Sequence, residues 1–302
     1  MSISQASGAE PATLPVHHLA LLIGMNLIWG LNFVAAKIGL AQFPPIFFTA
    51  LRFGSLALLL LPFLKIHRGQ MVNVLAAGLL TGPVTFALLF AGMAVAEDIS
   101  TVAIANQMVV PFSTLLSVWL LGERIRGPRI LGITLAFAGM TLISFDPRVF
   151  AYWDGLALVV LSCFFQSLGL IYVKRLRGIR ALQLQAWIAI IGGGLLMLLS
   201  LVFESNHMEV VRSADWQAWS ALLFTTMLSS LTAYTLWYYL ISLYPVTSLS
   251  PLTLLSPLFG MFFGVTLLDD QLSPRMIVGS VVTLVGIFIV VMREKNKVDA
   301  GT

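Results

Sequence analysis

Long apolar runs separated by short polar connections dominate the chain, and their lengths are the first structural information in it. A helix rises about 1.5 Å per residue, so about 20 consecutive apolar residues cross a hydrocarbon core of about 30 Å. Ten runs approach that length, near 19–37, 45–64, 72–92, 101–121, 128–144, 153–172, 182–202, 216–240, 248–268 and 275–291. They predict an all-α integral membrane protein with ten transmembrane helices. Residues 1–18 read as a disordered cytoplasmic tail and residues 293–302 as a second polar tail. The first run has no basic segment before it and no small-residue cleavage pattern after it, so it is expected to stay as a span. Helices one to five fall in 19–145 and helices six to ten in 152–292.

Composition agrees with this pattern and removes the soluble classes. Of 302 residues, 59% are hydrophobic and 10% charged, against about 45–50% and about 25% in ordinary soluble domains. The formal charge of +4 does not point to nucleic acid, because the basic residues occupy short loops between apolar runs. Twelve of them lie on the side that holds both termini, including Lys65, Arg68, Lys174, Arg175, Arg177 and Arg180. Four, Lys37, Arg148, Arg212 and Arg275, lie on the other side. The positive-inside rule therefore predicts cytoplasmic termini in a cell inner (plasma) membrane. The single cysteine, Cys163, rules out an internal disulfide framework, a Cys-rich zinc site and a cysteine-ligated iron–sulfur cluster, and is expected to be a reduced thiol among helices.

The chain resembles itself. At an offset of 147, Glu123 aligns with Asp270, Gly132 with Gly279 and Gly139 with Gly286; at an offset of 137, Lys37 aligns with Lys174. Each half then holds five helices, and an odd count makes the second half enter the membrane in the opposite sense. Many secondary transporters are built from such inverted repeats. The small residues Gly132, Ala136 and Gly139, like Gly279, Thr283 and Gly286, share one helical face and predict close helix packing there.

A known family carries the same elements. Asn106-Gln107, Pro111, Leu121-Gly122-Glu123-Arg124-Ile125 and the spaced Gly132 and Gly139 resemble the second part of the EamA domain. Pro251, Pro257, Leu268-Asp269-Asp270-Gln271-Leu272, Gly279 and Gly286 resemble it again, and Trp29-Gly30-Leu31-Asn32-Phe33 with Lys37 and Leu51-Arg52-Phe53 resemble its opening helices. The chain is thus identified as a member of this family within the drug/metabolite transporter superfamily, similar to bacterial amino-acid and metabolite exporters. The resemblance implies two inverted five-helix repeats, cytoplasmic termini and export of small metabolites, amino acids or their derivatives first among them. The second copy departs from the pattern: Asp269-Asp270-Gln271 stands where the family often has Glu-Arg, which puts any cap or salt bridge at that loop in doubt.

In inverted-repeat transporters the substrate meets broken helices near the bilayer midplane. Pro111 and Pro257 are placed midway along runs four and nine and would free the carbonyls of Gln107 and Thr253. Gly82-Pro83 softens run three, and Ser229-Ser230 occupies the aligned position of run eight. Polar side chains gather at similar depths: Asn26, Asn32, Thr85, Asn106, Gln107, Gln166 and Tyr234. Left without partners in hydrocarbon, each would cost a few kcal/mol, so they face protein or a wet cavity. One account is mutual bracing at about 0.6 kcal/mol per contact; the other is a substrate site. The aromatics Trp29, Trp237, Tyr238 and Tyr239 either line such a site or pack the core, whereas Trp153, Trp216 and Trp219 sit where interfacial anchors belong.

Arg52 is the strong charge well inside a run. It either attracts a substrate carboxylate, with Lys37 assisting, or braces the bundle through carbonyls. The candidate substrate site is therefore Trp29, Asn32, Arg52, Thr85, Asn106, Gln107, Gln166, Tyr234, Trp237 and Thr253, with no catalytic residue, metal or cofactor expected. The 13 acids all fall in loops, helix ends or tails. A proton antiporter for cationic drugs needs a mid-membrane carboxylate, so a neutral, zwitterionic or anionic metabolite is the expected cargo. Glu97-Asp98 are either part of a proton path or a solvated pair. The partners expected are that cargo and membrane lipid. A lipid-linked-sugar flippase or passive facilitator stays open as an alternative, and an intramembrane enzyme is remote: Asp269-Asp270 alone make a poor Mg²⁺ site, and no hydrolase or P-loop motif occurs.

Overall fold

The computed structural model describes residues 14–95, 106, 108–123, 125, 127–144, 153–268 and 274–295. All the regular structure among them is helical. In chain order the elements are α1 (Val16–Leu40), α2 (Pro45–Leu60), α3 (Met71–Leu79), α4 (Thr85–Val95), α5 (Val109–Leu121), α6 (Gly127–Ser144), α7 (Trp153–Arg175), α8 (Ala181–Phe203), α9 (His207–Ser213), α10 (Trp216–Phe224), α11 (Thr235–Leu243), α12 (Val246–Leu249), α13 (Leu255–Leu268) and α14 (Pro274–Lys295). Six continuous stretches are long and apolar enough to cross a bilayer: Val16–Leu40, Pro45–Phe63, Met71–Leu89, Trp153–Arg175, Ala181–Phe203 and Val246–Leu267. Shorter apolar helices cover Val109–Leu121, Ile130–Leu142 and Ile277–Val290.

Small residues decide which helices touch. Lipid tails are as apolar as leucine, so burying apolar surface does not by itself drive helix association, and close backbone approach takes its place. Along the α6–α14 seam, a Cβ added at Gly139 would lie 2.5 Å from the Gly279 carbonyl oxygen, and one added at Gly286 would meet the Ala136 backbone. The Thr283 hydroxyl bridges this seam, donating to Gly279 in its own helix at 2.8 Å and to the Ala136 carbonyl at 3.3 Å. The two glycine faces seen in the sequence thus pack on each other. Between α2 and α8, a Cβ at Gly193 would lie 2.9 Å from the Gly54 nitrogen, while the Phe53 ring rests on Gly192. Between α1 and α13, Gly30 faces Phe259 and Gly260 faces Phe33.

The extensive packings between non-consecutive elements all join a helix before residue 145 to one after residue 153. α1 runs along α13 as α7 runs along α5; α1 also lies on the α10–α11 rod as α7 lies on the α3–α4 rod; α2 lies on α8, and α6 on α14. Among the described residues, the larger helix packings thus run between the halves rather than within them.

Two rods are interrupted by π-helical turns. Leu80–Val84 links α3 to α4, with Gly82 at φ −105°, ψ −109° and Pro83 removing a donor. Thr225–Tyr234 links α10 to α11. These are the positions at which the sequence softens runs three and eight. Run nine bears the same mark. Pro257 stands near the middle of the continuous stretch Val246–Leu267, directly after the 3-10 turn over Ser250–Leu254, so the helix changes its winding where the sequence places its break. Pro111 is the third residue of α5, and Gln107 lies outside the described residues.

Helix ends are tied to other helices by charged side chains. Glu204, just past α8, accepts from the backbone N–H groups of Ile46 and Phe47 at 2.8 and 2.7 Å and so caps α2. Glu123, just past α5, accepts from Val246 and Thr247 at 2.9 Å each and caps α12. The left-handed Gly122 (φ 68°) ends α5 and turns the chain so that Glu123 can reach that far.

Candidate functional site

Among the described residues, Arg52 is the charged side chain that is buried in the bundle. It stands in the middle of α2, 9% exposed. Its Nε donates to the Ser230 hydroxyl, and its Nη2 reaches the Ser229 hydroxyl at 3.5 Å. Both serines belong to the π-helical segment between α10 and α11, where the widened turn sets successive hydroxyls toward one side. Gln185 of α8 donates through Nε2 to the Ser230 carbonyl at 3.1 Å, and its Oε1 is buried without a hydrogen bond. Three helices thus converge on one polar spot. Two hydroxyls solvate a guanidinium but do not neutralise it, and among the described residues no carboxylate pairs with Arg52. A buried charge without a counterion is costly.

A chain of aromatic rings adjoins this charge. Tyr234 and Tyr238 are close enough to Arg52 to interact with it electrostatically. Tyr234 lies 6.0 Å from Tyr238 and 5.0 Å from Trp29 between ring centroids, and Trp29 lies 6.0 Å from Trp237. Trp237 and Tyr238 are buried, whereas Trp29 and Tyr234 are half-buried. The Trp29 indole nitrogen and the Asn32 Oδ1 on the same helix are both buried without a hydrogen bond. Aromatic faces attract cations by about 0.5–2 kcal/mol. A fixed positive charge at 4 Å repels them by about 4 kcal/mol at an effective dielectric constant of about 20.

The structure therefore brings together Trp29, Arg52, Tyr234 and Trp237 of the predicted set, with Asn32 beside them on α1. Of the remaining predicted residues, Thr85 and Thr253 serve the backbone, and Gln107 lies outside the described residues. Thr85 gives its hydroxyl to the Leu80 carbonyl at 2.5 Å, satisfying an acceptor at the π-helical turn. Thr253 does the same for Ser250 at 2.7 Å. The Cys163 thiol reaches the backbone oxygen and Oδ1 of Asn106 at 3.5 and 3.6 Å, across the α5–α7 side of the bundle, and Gln166 is half-buried on α7. Cys163 is buried. Tyr239 turns away, its ring 5.8 Å from that of His18. Trp153 and Trp216 are exposed, as interfacial anchors would be. In the sequence Ser229-Ser230 stand out only as a soft point in mid-run, and Gln185, near the start of run seven, carries no comparable signal.

A second charged group sits at helix ends. Lys174 of α7 donates to the carbonyls of Ile241 and Tyr244 at 2.7 Å each, closing the end of α11, with the Glu123 carboxylate nearby. The Tyr244 hydroxyl pairs with His18 Nδ1 at 2.6 Å.

Known proteins share both the sequence pattern and the fold. The model of the EamA-like transporter family matches residues 18–145 and again residues 153–292. The chain belongs to the EamA-like transporter family. It is a multi-pass membrane transporter and not an enzyme. The transporter is 26% identical over 282 residues to the uncharacterized transporter YoaV of Bacillus subtilis, covering 89% of this chain and 94% of that protein. It is also 26% identical to a probable amino-acid metabolite efflux pump of Escherichia coli K12, covering 94% and 98%. A solved crystal structure superposes on it with a TM-score of 0.78 at 17% identity, covering 93% of this chain and 98% of that one, which shows a shared fold.

Proposed function

We propose that the transporter exports small metabolites, amino acids or their derivatives, across a plasma membrane by alternating access. Ten spans would form two inverted five-helix halves, with both termini cytoplasmic and the substrate bound where the halves meet. The observation that carries this reading is the Arg52 site: a charged, hydrogen-bonding group inside an apolar bundle, built by α2 of one half and by α8 and the Ser229-Ser230 turn of the other. A site shared in this way is exposed to one side or the other as the halves rock. The names of the relatives, efflux pump among them, support the direction of transport. Trp29, Asn32, Arg52, Tyr234 and Trp237 are assigned to the substrate, together with Gln185. Thr85, Asn106, Gln166 and Thr253 would shape the surrounding helices, and Gln107 is kept as a candidate.

The test is efflux of amino acids and related metabolites from cells overproducing the protein, followed by counterflow in liposomes. Saturable export with counterflow is expected, and Asn32→Ala is expected to change apparent affinity or preference. Passage without saturation would instead fit a passive facilitator, and unchanged kinetics in Asn32→Ala and Gln185→Ala would remove those residues from the site.

A further inference from the structure

We infer that the cargo is a carboxylate anion with a flat aromatic or apolar body, and that the site offers no charged partner for an ammonium group. This rests on the reading of the Arg52 site as the substrate site. Arg52 keeps donor capacity beyond its two serine contacts and has no carboxylate partner among the described residues. The described acids with placed side chains are engaged elsewhere or lie at helix ends: Glu123 and Glu204 cap other helices, and Asp154 and Asp215 bond N–H groups of their own helices. A substrate carboxylate supplies the missing charge in the planar, two-oxygen form that a guanidinium binds best. The Trp29 indole N–H, buried and unbonded, is a further donor for that group. An ammonium would find only neutral acceptors, the free oxygens of Asn32 and Gln185. The half-buried faces of Trp29 and Tyr234 suit a flat body better than a branched one. The site should therefore rank ligands of one shape by charge, anion first, zwitterion second and cation last.

The experiment compares three molecules that share a phenyl ring. The full-length protein is reconstituted in liposomes loaded with labelled phenylpyruvate, and exchange is driven by external phenylpyruvate, phenylalanine or phenethylamine, with protein-free liposomes as control. Saturable exchange by phenylpyruvate at a half-saturating concentration at least about tenfold below that of phenylalanine is expected, with none by phenethylamine. Arg52→Gln should weaken phenylpyruvate by about 30-fold or more and erase its advantage, while Arg52→Lys keeps the ranking at lower affinity. An Arg52 that only braces helices would lower all exchange equally and leave the ranking unchanged, which overturns the inference. Preference for phenylalanine or phenethylamine overturns it as well, while the exporter reading stands. Pyruvate exchanging as well as phenylpyruvate removes the aromatic part. No saturable movement of any of the three, whichever way they are loaded, overturns both.

Discussion

Glu204 and Glu123 do the same thing in different company. Each stands just past the end of one helix and accepts two consecutive backbone N–H groups at the start of another, Ile46 and Phe47 in the first case, Val246 and Thr247 in the second. In both, proline precedes the bonded pair and sets the chain extended before the helix begins. Such N–H groups have no intrahelical acceptor, and the helix dipole adds to their attraction for a carboxylate. The surroundings differ. Glu204 is supported by a relay in which the Ser200 hydroxyl donates to its Oε2 at 2.7 Å and pairs with His207 Nε2 at 2.8 Å. Glu123 sits near the ammonium of Lys174, which itself closes the end of α11. One junction is a cap; the other is a cap with a lysine ammonium nearby, joining the ends of α5, α7, α11 and α12. Under the alternating-access mechanism proposed above, closures of unequal strength at separate helix junctions would set which opening is easier.

Breaking each junction measures that inequality. Glu123→Ala leaves two N–H groups unbonded and Lys174 without its neighbouring charge, so a loss of about 3 kcal/mol is expected in denaturant unfolding of the purified protein in mild detergent. Adding Lys174→Met should recover part of it, and purely additive losses would show that the two charges do not act together. Glu204→Ala strands N–H groups without a lysine ammonium beside them and should cost about 2 kcal/mol. A loss as large as that of Glu123→Ala would erase the distinction drawn between the junctions. Ser200→Ala removes one bond from the relay and should cost about 1 kcal/mol.

The smallest effect is expected at Asp215, the N-cap of α10. Its carboxylate accepts from the Ala218 N–H at 2.8 Å, while its own N–H donates to Gln42 Oε1 at 3.0 Å. The Ala218 bond first, then the contact with Gln42, holds its pKa below the usual 3.8. A depressed carboxylate stabilises the fold above its unfolded value and loses that contribution as the pH falls through the folded one. Asp215→Asn should therefore flatten the stability profile below about pH 4 and change little near neutrality; an unchanged acid limb would show that this cap does not contribute.

The polar and aromatic members of the site were visible as residues out of place in apolar runs, because hydrocarbon gives such groups no partner. Arg52, Trp29, Asn32, Tyr234 and Trp237 stand out in that way. Their grouping was not visible, since it depends on α1, α2, α8 and the α10–α11 rod crossing, which their spacing along the chain does not encode. Pro257 reads as a break in mid-run, and the 3-10 turn over Ser250–Leu254 stands directly before it. Hydropathy marks the run but not how the backbone winds within it.

By itself the sequence determined what local composition and period can determine: the apolar helices, the two glycine faces, the soft points at Gly82-Pro83 and Ser229-Ser230, and the family. Each depends on residues near one another in the chain. Only the tertiary structure decided that the glycine faces meet each other, that Ser229 and Ser230 carry Arg52, and that Glu123 and Glu204 close helices distant in sequence. The reason is physical. In an apolar solvent, hydrophobicity can mark a helix but cannot choose its neighbour, so partners are chosen by close backbone approach and by polar groups seeking each other across the bundle.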